Sequence, residues 1–220
     1  MENRTRRCKL VTLILLIIFI AYTLLLKVVD VQAIGPQGSE VGFATFNSMV
    51  YQVVGSNELC YDVSKYIGYL AIVIAIFFVI LAILQFARSR ELSKVDLSLK
   101  VLIVFYVLVG ICYVLFEFLV INYRPVLEDG QLAASYPSSH TMLALCVFVT
   151  ARMQFKSRFM EGFARGFLVI LFDVLSVVMV CTRLASGVHW ATDIIGGILL
   201  SAVLIFIYRT IIMVRKERIW

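Results

Sequence analysis

Six apolar stretches, each close to the length needed to cross a bilayer, are the feature that most constrains this fold. A transmembrane helix needs about 20 mostly apolar residues. Hydrophobic residues make up 62% of the 220 residues and charged residues only 15%, whereas soluble domains are about 45–50% apolar and about 25% charged. The chain is therefore predicted to be an all-α polytopic membrane protein with six transmembrane helices. We place these helices at residues 10–29, 66–87, 99–121, 138–153, 162–182 and 191–214.

The basic residues indicate how these helices cross the membrane. Sixteen of the 20 Lys and Arg residues lie in four clusters beside the predicted helices: Arg4, Arg6, Arg7 and Lys9; Arg88, Arg90, Lys94 and Lys100; Arg152, Lys156, Arg158 and Arg165; Arg209, Arg215, Lys216 and Arg218. Basic clusters beside apolar spans mark the cytoplasmic side. We therefore expect both termini on the cytoplasmic side of the plasma membrane, and segments 31–65, 122–137 and 183–190 on its outer side. Nucleic-acid binding, which also explains a basic chain, is not favoured, because the positive-inside rule accounts for every cluster.

Two segments near the N-terminus leave alternatives open. Stretch 10–29 is favoured as a retained membrane helix over a secretory signal peptide, because its apolar run exceeds the roughly 7–15 residues of a signal core. In the outer loop 31–65, apolar residues recur at helical spacing from Phe43 to Val54, which predicts a short amphipathic outer helix. It either lies in the outer membrane interface or packs as a cap on the helix bundle. No repeat or linker divides the chain, so a single domain over 1–220 is predicted.

The outer segments contain nearly all the side chains that suit catalysis. His189 and Asp193 are four residues apart at the predicted start of the sixth helix, and this spacing puts both on one helix face. A carboxylate there would accept one imidazole N–H, fix the tautomer and leave the other nitrogen as a nucleophile. His140, one turn into the fourth helix, would protonate a leaving group.

Positive groups in the same segments suit a phosphate. Arg124 and Arg183 are guanidiniums adapted to bidentate contact with phosphate oxygens. The run from Pro137 to Ser139 predicts a helix start, where free backbone N–H groups and the helix dipole favour an anion. Each residue alone fits an interfacial anchor equally well, but the whole set in three outward segments indicates a phosphoryl-transfer site. No metal or other cofactor is expected, because the arginines supply the positive charge.

These residues resemble the type-2 phosphatidic acid phosphatase superfamily, also called the lipid phosphate phosphatases. The three motifs of that family are K-x6-R-P, P-S-G-H and S-R-x5-H-x3-D. Their counterparts here lie within residues 117–193: Arg124-Pro125, Pro137-Ser138-Ser139-His140, and Thr182-Arg183 followed by His189 and Asp193. The resemblance implies that His189 attacks phosphorus and becomes a phosphohistidine, oriented by Asp193, while His140 protonates the leaving group. It further implies that the phosphoryl oxygens are held by Arg124, Arg183, Ser138 and Ser139.

Three positions depart from the family motifs. Ser139 replaces Gly and adds a hydroxyl near the phosphate, and Thr182 replaces Ser conservatively. The third departure is larger, because Glu117 stands where the first motif has Lys, and a carboxylate repels a phosphate. Glu117 either points away or pairs with an arginine to tune the site; or it meets an amine on the substrate; or the protein is a weakened relative.

The expected substrate is a membrane lipid with a terminal phosphate or diphosphate, whose chain enters sideways from the bilayer. Undecaprenyl diphosphate, phosphatidate and phosphatidylglycerol phosphate are the candidates. A lipid phosphotransferase with the same phosphohistidine, and a non-catalytic lipid-phosphate binder or transporter, are the alternatives. The oligomeric state is not predicted.

Two further features lie inside the predicted helices. Asp173, in the middle of the fifth helix, is expected to be a protonated carboxyl bonded between helices, although an intramembrane acid is also a functional candidate. Gly196 and Gly197 predict close packing of the sixth helix against its neighbours.

Overall fold

The computed structural model describes residues 2–158 and 162–217, and regular structure within them is helical, which confirms the all-α prediction. Their seven α-helices are α1 (Glu2–Leu25), α2 (Ala44–Val54), α3 (Glu58–Ser89), α4 (Leu97–Phe118), α5 (Ser139–Arg158), α6 (Phe163–Ala185) and α7 (Ala191–Glu217). Short 3-10 helices at Pro36–Gly38 and Leu92–Lys94 lie in two of the connections. Arg218, from the fourth basic cluster, falls outside the described residues.

Six of the helices overlap the six predicted stretches, but α1 begins before the predicted residue 10, and α3 begins at Glu58, inside the predicted outer loop 31–65. Only five of them in the described part of the chain are long and apolar enough to cross a membrane: α1, α3, α4, α6 and α7. The sixth, α5, differs because its sequence includes polar residues such as Thr141, Thr150 and Gln154. These three side chains are buried where α3, α6 and α7 pack against α5. A helix enclosed by its neighbours does not need a lipid-compatible surface.

The fourth predicted helix was too short. It was expected to end at residue 153, whereas α5 continues to Arg158 and has 20 residues, a length of about 30 Å at 1.5 Å per residue. Polar contacts stabilise this extra turn: Arg158 Nη1 lies 2.6 Å from Asp96 Oδ2, and Gln154 Nε2 donates to Tyr208 Oη at 2.6 Å. A hydropathy pattern does not predict this extra turn, because the residues that bond to Arg158 and Gln154 are distant in sequence.

Asp173 contacts a cation, whereas the sequence predicted a carboxyl hydrogen-bonded between helices. Its Oδ1 lies 3.0 Å from Nε of Arg152, so the two residues form an ion pair between α5 and α6. Both side chains remain partly exposed at the side of the bundle. The pair neutralises a charge in the middle of α6, and polar groups inside a membrane commonly pair in this way.

Helix α1 packs along α7 and against the segment that precedes α5. Tyr22 Oη donates to the carbonyl of Thr192 at 3.1 Å, and Thr23 Oγ1 lies 2.7 Å from Tyr136 Oη. Tyr136 is only 1% exposed, and its ring packs against the aromatic rings of Phe19 and Phe116. These contacts fix the backbone immediately before α5.

Helix α2 lies in the segment where helical spacing predicted a short helix, and one of its faces packs on the start of α7. Asn47 is 1% exposed; its amide group donates to Thr192 Oγ1 at 2.9 Å, and its oxygen accepts from the Thr192 backbone N–H at 3.1 Å. The apolar side chains of Met49 and Val53 are exposed on the other face. Helix α2 therefore covers the loop that enters α7.

The Gly196→Ala substitution tests how closely α7 approaches Tyr136, in the segment that precedes α5. A Cβ at Gly196 would lie 2.2 Å from the ring of Tyr136, which is fixed by its own neighbours. We expect Gly196→Ala to destabilise the protein by about 1–3 kcal/mol through overpacking, measured as a lower melting temperature in detergent. Gly110→Ala on α4 is the control, because no atom lies within 4 Å of the added carbon. Equal melting temperatures for the two variants would contradict this account of packing.

Candidate active site

His189 lies in the loop between α6 and α7 and is only 2% exposed. Its Nδ1 is 3.0 Å from Ser135 Oγ and 3.9 Å from Asp193 Oδ2. Its Nε2 is 3.3 Å from Nη2 of Arg183. One ring nitrogen is therefore held by the protein framework, and the other faces a guanidinium.

The predicted arrangement of His189 and Asp193 on one helix face is wrong, and so is the predicted direct bond between them. Helix α7 begins at Ala191, so His189 precedes the helix. Asp193 instead reaches back to the N-terminus of α7, where its Oδ2 accepts the backbone N–H of Trp190 at 2.9 Å. This contact corresponds to one half of a capping box, and it keeps the carboxylate out of direct contact with the imidazole.

Two side chains from the neighbouring loop complete the surroundings of Asp193. Ser135 Oγ donates to its Oδ2 at 2.5 Å, and Asn122 Nδ2 donates to its Oδ1 at 3.3 Å. With the Trp190 N–H, the fully buried carboxylate accepts three hydrogen bonds. These donors satisfy the hydrogen-bonding capacity of a carboxylate that has no access to solvent.

Burial lowers the pKa of His189 well below its ordinary value of 6.5, and the positive charges of Arg183 and Arg124 lower it further. The imidazole is therefore neutral near pH 7. A neutral imidazole with its Nδ1 engaged keeps a lone pair on Nε2, which is the requirement for a nucleophile.

Arg183, near the end of α6, is almost fully buried and is held from the side of α3. Its Nη1 donates to Ser64 Oγ at 3.4 Å, and its guanidinium carbon lies 5.8 Å from the centre of the Tyr61 ring. Its Nε has no hydrogen-bond partner among the described residues. The guanidinium is thus fixed in orientation while one of its donors stays unused.

Arg124 is held in a hairpin-like turn between α4 and α5. Its Nε donates to the Ala134 carbonyl at 3.2 Å, and its Nη1 lies 3.1 Å from Glu128 Oε2. The Arg124 side chain is 13% exposed. The positive charge of Arg124 is close enough to His189 to lower the pKa of its imidazole.

His140 is the second residue of α5, earlier than the one-turn position predicted for it. Its ring packs against Gly68 of α3, where an added Cβ would lie 3.0 Å from His140 Cδ2. Its buried Nδ1 has no hydrogen-bond partner among the described residues. The ring therefore has a fixed position and a nitrogen available for a further hydrogen bond.

The two predicted phosphate-binding serines occupy different positions. Ser139 lines a small cavity together with Ser135 and His189. Ser138 lies behind this cavity: its Oγ is 3.0 Å from Thr141 Oγ1, and its backbone N–H donates to the Asp193 carbonyl at 3.0 Å. Ser138 thus joins the start of α5 to α7.

Glu117 lines the same cavity as His189 and Ser139. It does not pair with either arginine, because Arg124 contacts Glu128 and Arg183 contacts Ser64 and His189. Its carboxylate is exposed. Among the described residues Glu117 therefore forms no ion pair with an arginine of the site, and its role towards a substrate stays a prediction.

Comparison with known proteins agrees with the resemblance seen in the motifs. The family model of the PAP2 superfamily matches residues 118–217. Residues 118–217 form a PAP2 superfamily domain. This PAP2 domain contains both histidines, both arginines and Asp193, and Glu117 lies one residue before it.

Two curated relatives match part of this chain. Sphingosine-1-phosphate phosphatase 2 from mouse is 32% identical over 87 residues, which cover 38% of this chain and 24% of that protein. Phosphatidylglycerophosphatase B of Bacillus subtilis (strain 168) is 28% identical over 94 residues, which cover 40% of this chain and 43% of that protein. The matched segments thus span less than half the length of these relatives.

A solved structure shows the same fold. The crystal structure of a transmembrane PAP2-type phosphatidylglycerolphosphate phosphatase from Bacillus subtilis superposes with a TM-score of 0.62. The superposition covers 95% of this chain and 97% of that chain, at 20% sequence identity. The chain therefore has the membrane PAP2 fold, and its helices outside residues 118–217 belong to that fold too.

Sequence reasoning missed two residues that contact Asp193 in the PAP2 domain. Ser135 lies five residues before His140, and Asn122 lies two residues before Arg124, so both stand beside predicted site residues. Asn122 is 1% and Ser135 2% exposed. Their closeness to the motifs in sequence could have marked them as candidate site residues. Their contacts with Asp193 of α7 were not predictable, because these contacts depend on the conformation of the loop between α4 and α5.

Proposed function

We propose that this protein is an integral membrane lipid phosphatase that removes a terminal phosphate by way of a phosphohistidine at His189. The observation that carries this proposal is the position of His189 Nε2. It lies 3.3 Å from the Arg183 guanidinium while Nδ1 is bonded to Ser135. A phosphoryl group bound by Arg183 would thus meet the lone pair of a neutral, oriented imidazole.

The reaction would proceed in two balanced steps. His189 Nε2 donates its lone pair to phosphorus, the bond from phosphorus to the leaving oxygen breaks, and His140, which enters the step as an imidazolium once the negative phosphate is bound, protonates that oxygen. Water then attacks phosphorus and gives a proton to His140, the P–N bond breaks, and phosphate leaves. In both steps Arg124 and Arg183 stabilise the charge on the phosphoryl oxygens, which is the main contribution that a protein makes to phosphoryl transfer.

The start of α5 would complete the phosphate site. The first turn of a helix has backbone N–H groups without helical partners, and its positive dipole end attracts anions. We propose that the first-turn amides of α5 and the Ser139 hydroxyl contact phosphoryl oxygens. Ser138 would contribute by joining this turn to Asp193.

We propose that six helices cross the plasma membrane, with α5 enclosed as the sixth, and that the site faces outward. The histidines lie at the start of α5 and beside the start of α7, whereas basic residues such as Arg158 and Arg209 lie towards the opposite ends. The positive-inside rule then puts both termini in the cytoplasm. The exposed apolar face of α2 would rest in the outer interface, within a single domain over 1–220.

Phosphatidylglycerol phosphate is the substrate we propose first, because a relative and a structural neighbour are named for that lipid. Phosphate release by detergent-purified protein tests this, with phosphatidate and undecaprenyl diphosphate as competitors and His189→Ala as the control. Release by the wild type alone supports a phosphatase. Phosphate transferred to an added lipid without release would indicate a phosphotransferase, and binding without bond cleavage would indicate a binder or transporter.

Glu117 favours a second class of substrate. Its exposed carboxylate lines the cavity that contains His189, where it would repel a phosphate but attract a nearby cation. The relative named sphingosine-1-phosphate phosphatase 2 makes a lipid with an amine beside its phosphate a reasonable candidate. We propose that Glu117 binds such an amine.

The Glu117→Gln substitution tests this proposal, because it removes the charge and keeps the size. We expect kcat/KM to fall about 10-fold, or about 1.4 kcal/mol, for sphingosine 1-phosphate, and to stay equal or rise for its N-acetylated form, which has no positive charge. Both substrates carry the same phosphate. An equal change for both would contradict recognition of the amine.

A further inference from the structure

We infer that Ser135 is a positioning residue that transmits the effect of Asp193 to His189 by a chain of two hydrogen bonds. This inference rests on the proposed function of His189 as the nucleophile. Ser135 lies outside the three motifs described above. It is 2% exposed, and its single hydroxyl lies between the imidazole and the carboxylate.

The distances make Ser135 the bridge. His189 Nδ1 and Asp193 Oδ2 are 3.9 Å apart, which is too far for a hydrogen bond. Ser135 Oγ is 3.0 Å from the nitrogen and 2.5 Å from the oxygen. The short bond to the carboxylate is typical of an O–H group that donates to an ionised acceptor.

Counting protons then fixes the direction of both bonds. A serine hydroxyl has one proton, and here that proton goes to Asp193. Ser135 Oγ must therefore accept from His189, so the imidazole proton lies on Nδ1. Asp193 is well suited as the acceptor because Trp190 N–H and Asn122 Nδ2 also donate to it.

The other side of the ring gives the same answer independently. Arg183 Nη2 lies 3.3 Å from His189 Nε2, and a guanidinium can only donate. Nε2 must therefore be the acceptor without a proton. The contacts on both sides of His189 thus require the tautomer in which Nε2 is the nucleophile.

This arrangement has a consequence for the reaction. When Nε2 bonds to phosphorus, the imidazole ring becomes positively charged while its proton remains on Nδ1. The charge is stabilised by Asp193 through the Ser135 hydroxyl. Without that hydroxyl the ring loses its hydrogen-bonded connection to Asp193, and one of the contacts that fix its tautomer is removed.

Nitrogen-15 NMR tests the inference without relying on activity. The chain has only two histidines, so ¹⁵N-histidine labelling gives two sets of ring signals, which a His140→Gln variant assigns. We expect His189 in the purified protein at pH 7 to carry its proton on Nδ1, and Ser135→Ala to move proton occupancy towards Nε2. A proton on Nε2 in the wild type, or an unchanged tautomer in Ser135→Ala, would overturn the inference.

Kinetics give a second test. We expect Ser135→Ala to lower kcat about 30- to 100-fold with little change in KM, and Ser135→Thr, which keeps the hydroxyl, to restore most of it. Adding Asp193→Asn to Ser135→Ala should cost much less than the product of the two single effects, because both act through one chain of bonds. Multiplicative effects, or Thr no better than Ala, would contradict a relay.

The two tests separate this inference from the proposed function. If the protein shows no turnover on any lipid phosphate but His189 carries its proton on Nδ1 in a Ser135-dependent way, the phosphatase proposal fails and the relay stands. If turnover depends on His189 but not on the Ser135 hydroxyl, the relay fails and the phosphatase stands.

Discussion

Phosphate release should fall by at least about 10⁴-fold in His189→Ala, a loss of the size seen when a covalent nucleophile is removed. Alanine cannot form the P–N bond, and the remaining groups can only bind the phosphoryl group and stabilise its charge. We expect KM to change little, because the arginines that would hold the phosphate remain. Steady-state phosphate release from phosphatidylglycerol phosphate, with the detergent-purified variant, measures the effect.

Thr182→Ser is the matched control for this loss. It restores the residue of the family motif one position before Arg183, and its hydroxyl already bonds within α6, to the carbonyl of Val178 at 2.7 Å. We expect activity within about twofold of the wild type, since the half-buried hydroxyl that bonds within the helix is retained. Residual turnover above about 1% in His189→Ala would indicate that water attacks phosphorus directly.

Arg183→Lys should lower kcat by about 10²–10³-fold, which is the cost of removing one well-placed donor to transition-state charge. Lysine keeps the positive charge but cannot reproduce the planar fork that reaches Ser64 and His189 together. Its ammonium would also lose the contact with the ring of Tyr61. Parallel measurement of kcat and KM would show whether the geometry of this group matters beyond its charge.

Arg209→Lys provides the comparison for that substitution. Arg209 also lies over an aromatic ring, at 5.7 Å from the centre of the Phe206 ring, but towards the other end of α7. We expect this variant to keep full activity. If Arg183→Lys is equally active, charge alone would suffice at position 183, and the proposed orientation of His189 by Arg183 would be refuted.

The positions of the membrane helices were predictable because each contains a long run of apolar residues. The residues at which the helices begin and end were predicted less accurately. Helix α5 continues past the predicted end because Arg158 and Gln154 find partners on α4 and α7. The ion pair of Asp173 was not predicted, because its partner, Arg152, lies on another helix. Hydropathy treats each helix separately and gives no information about such a partner.

The residues of the site were predictable from their spacing, whereas their contacts were not. His189 and Asp193 are four apart, and on a regular helix that spacing gives direct contact. Helix α7 begins between them. The backbone N–H groups at the start of a helix have no helical partners, and the Asp193 carboxylate accepts one of them, the N–H of Trp190. The gap is bridged by Ser135, from a loop more than 50 residues earlier, which no local pattern indicates.

Trapping of the phosphorylated enzyme tests the central claim most directly. The wild-type protein would be mixed with phosphatidylglycerol phosphate labelled in its terminal phosphate, quenched in alkali within one turnover, and analysed by peptide mass spectrometry. We predict a phosphate on His189 that forms and decays at rates compatible with turnover. Label on another residue, or full turnover with no phosphorylated protein at any time, would contradict the account.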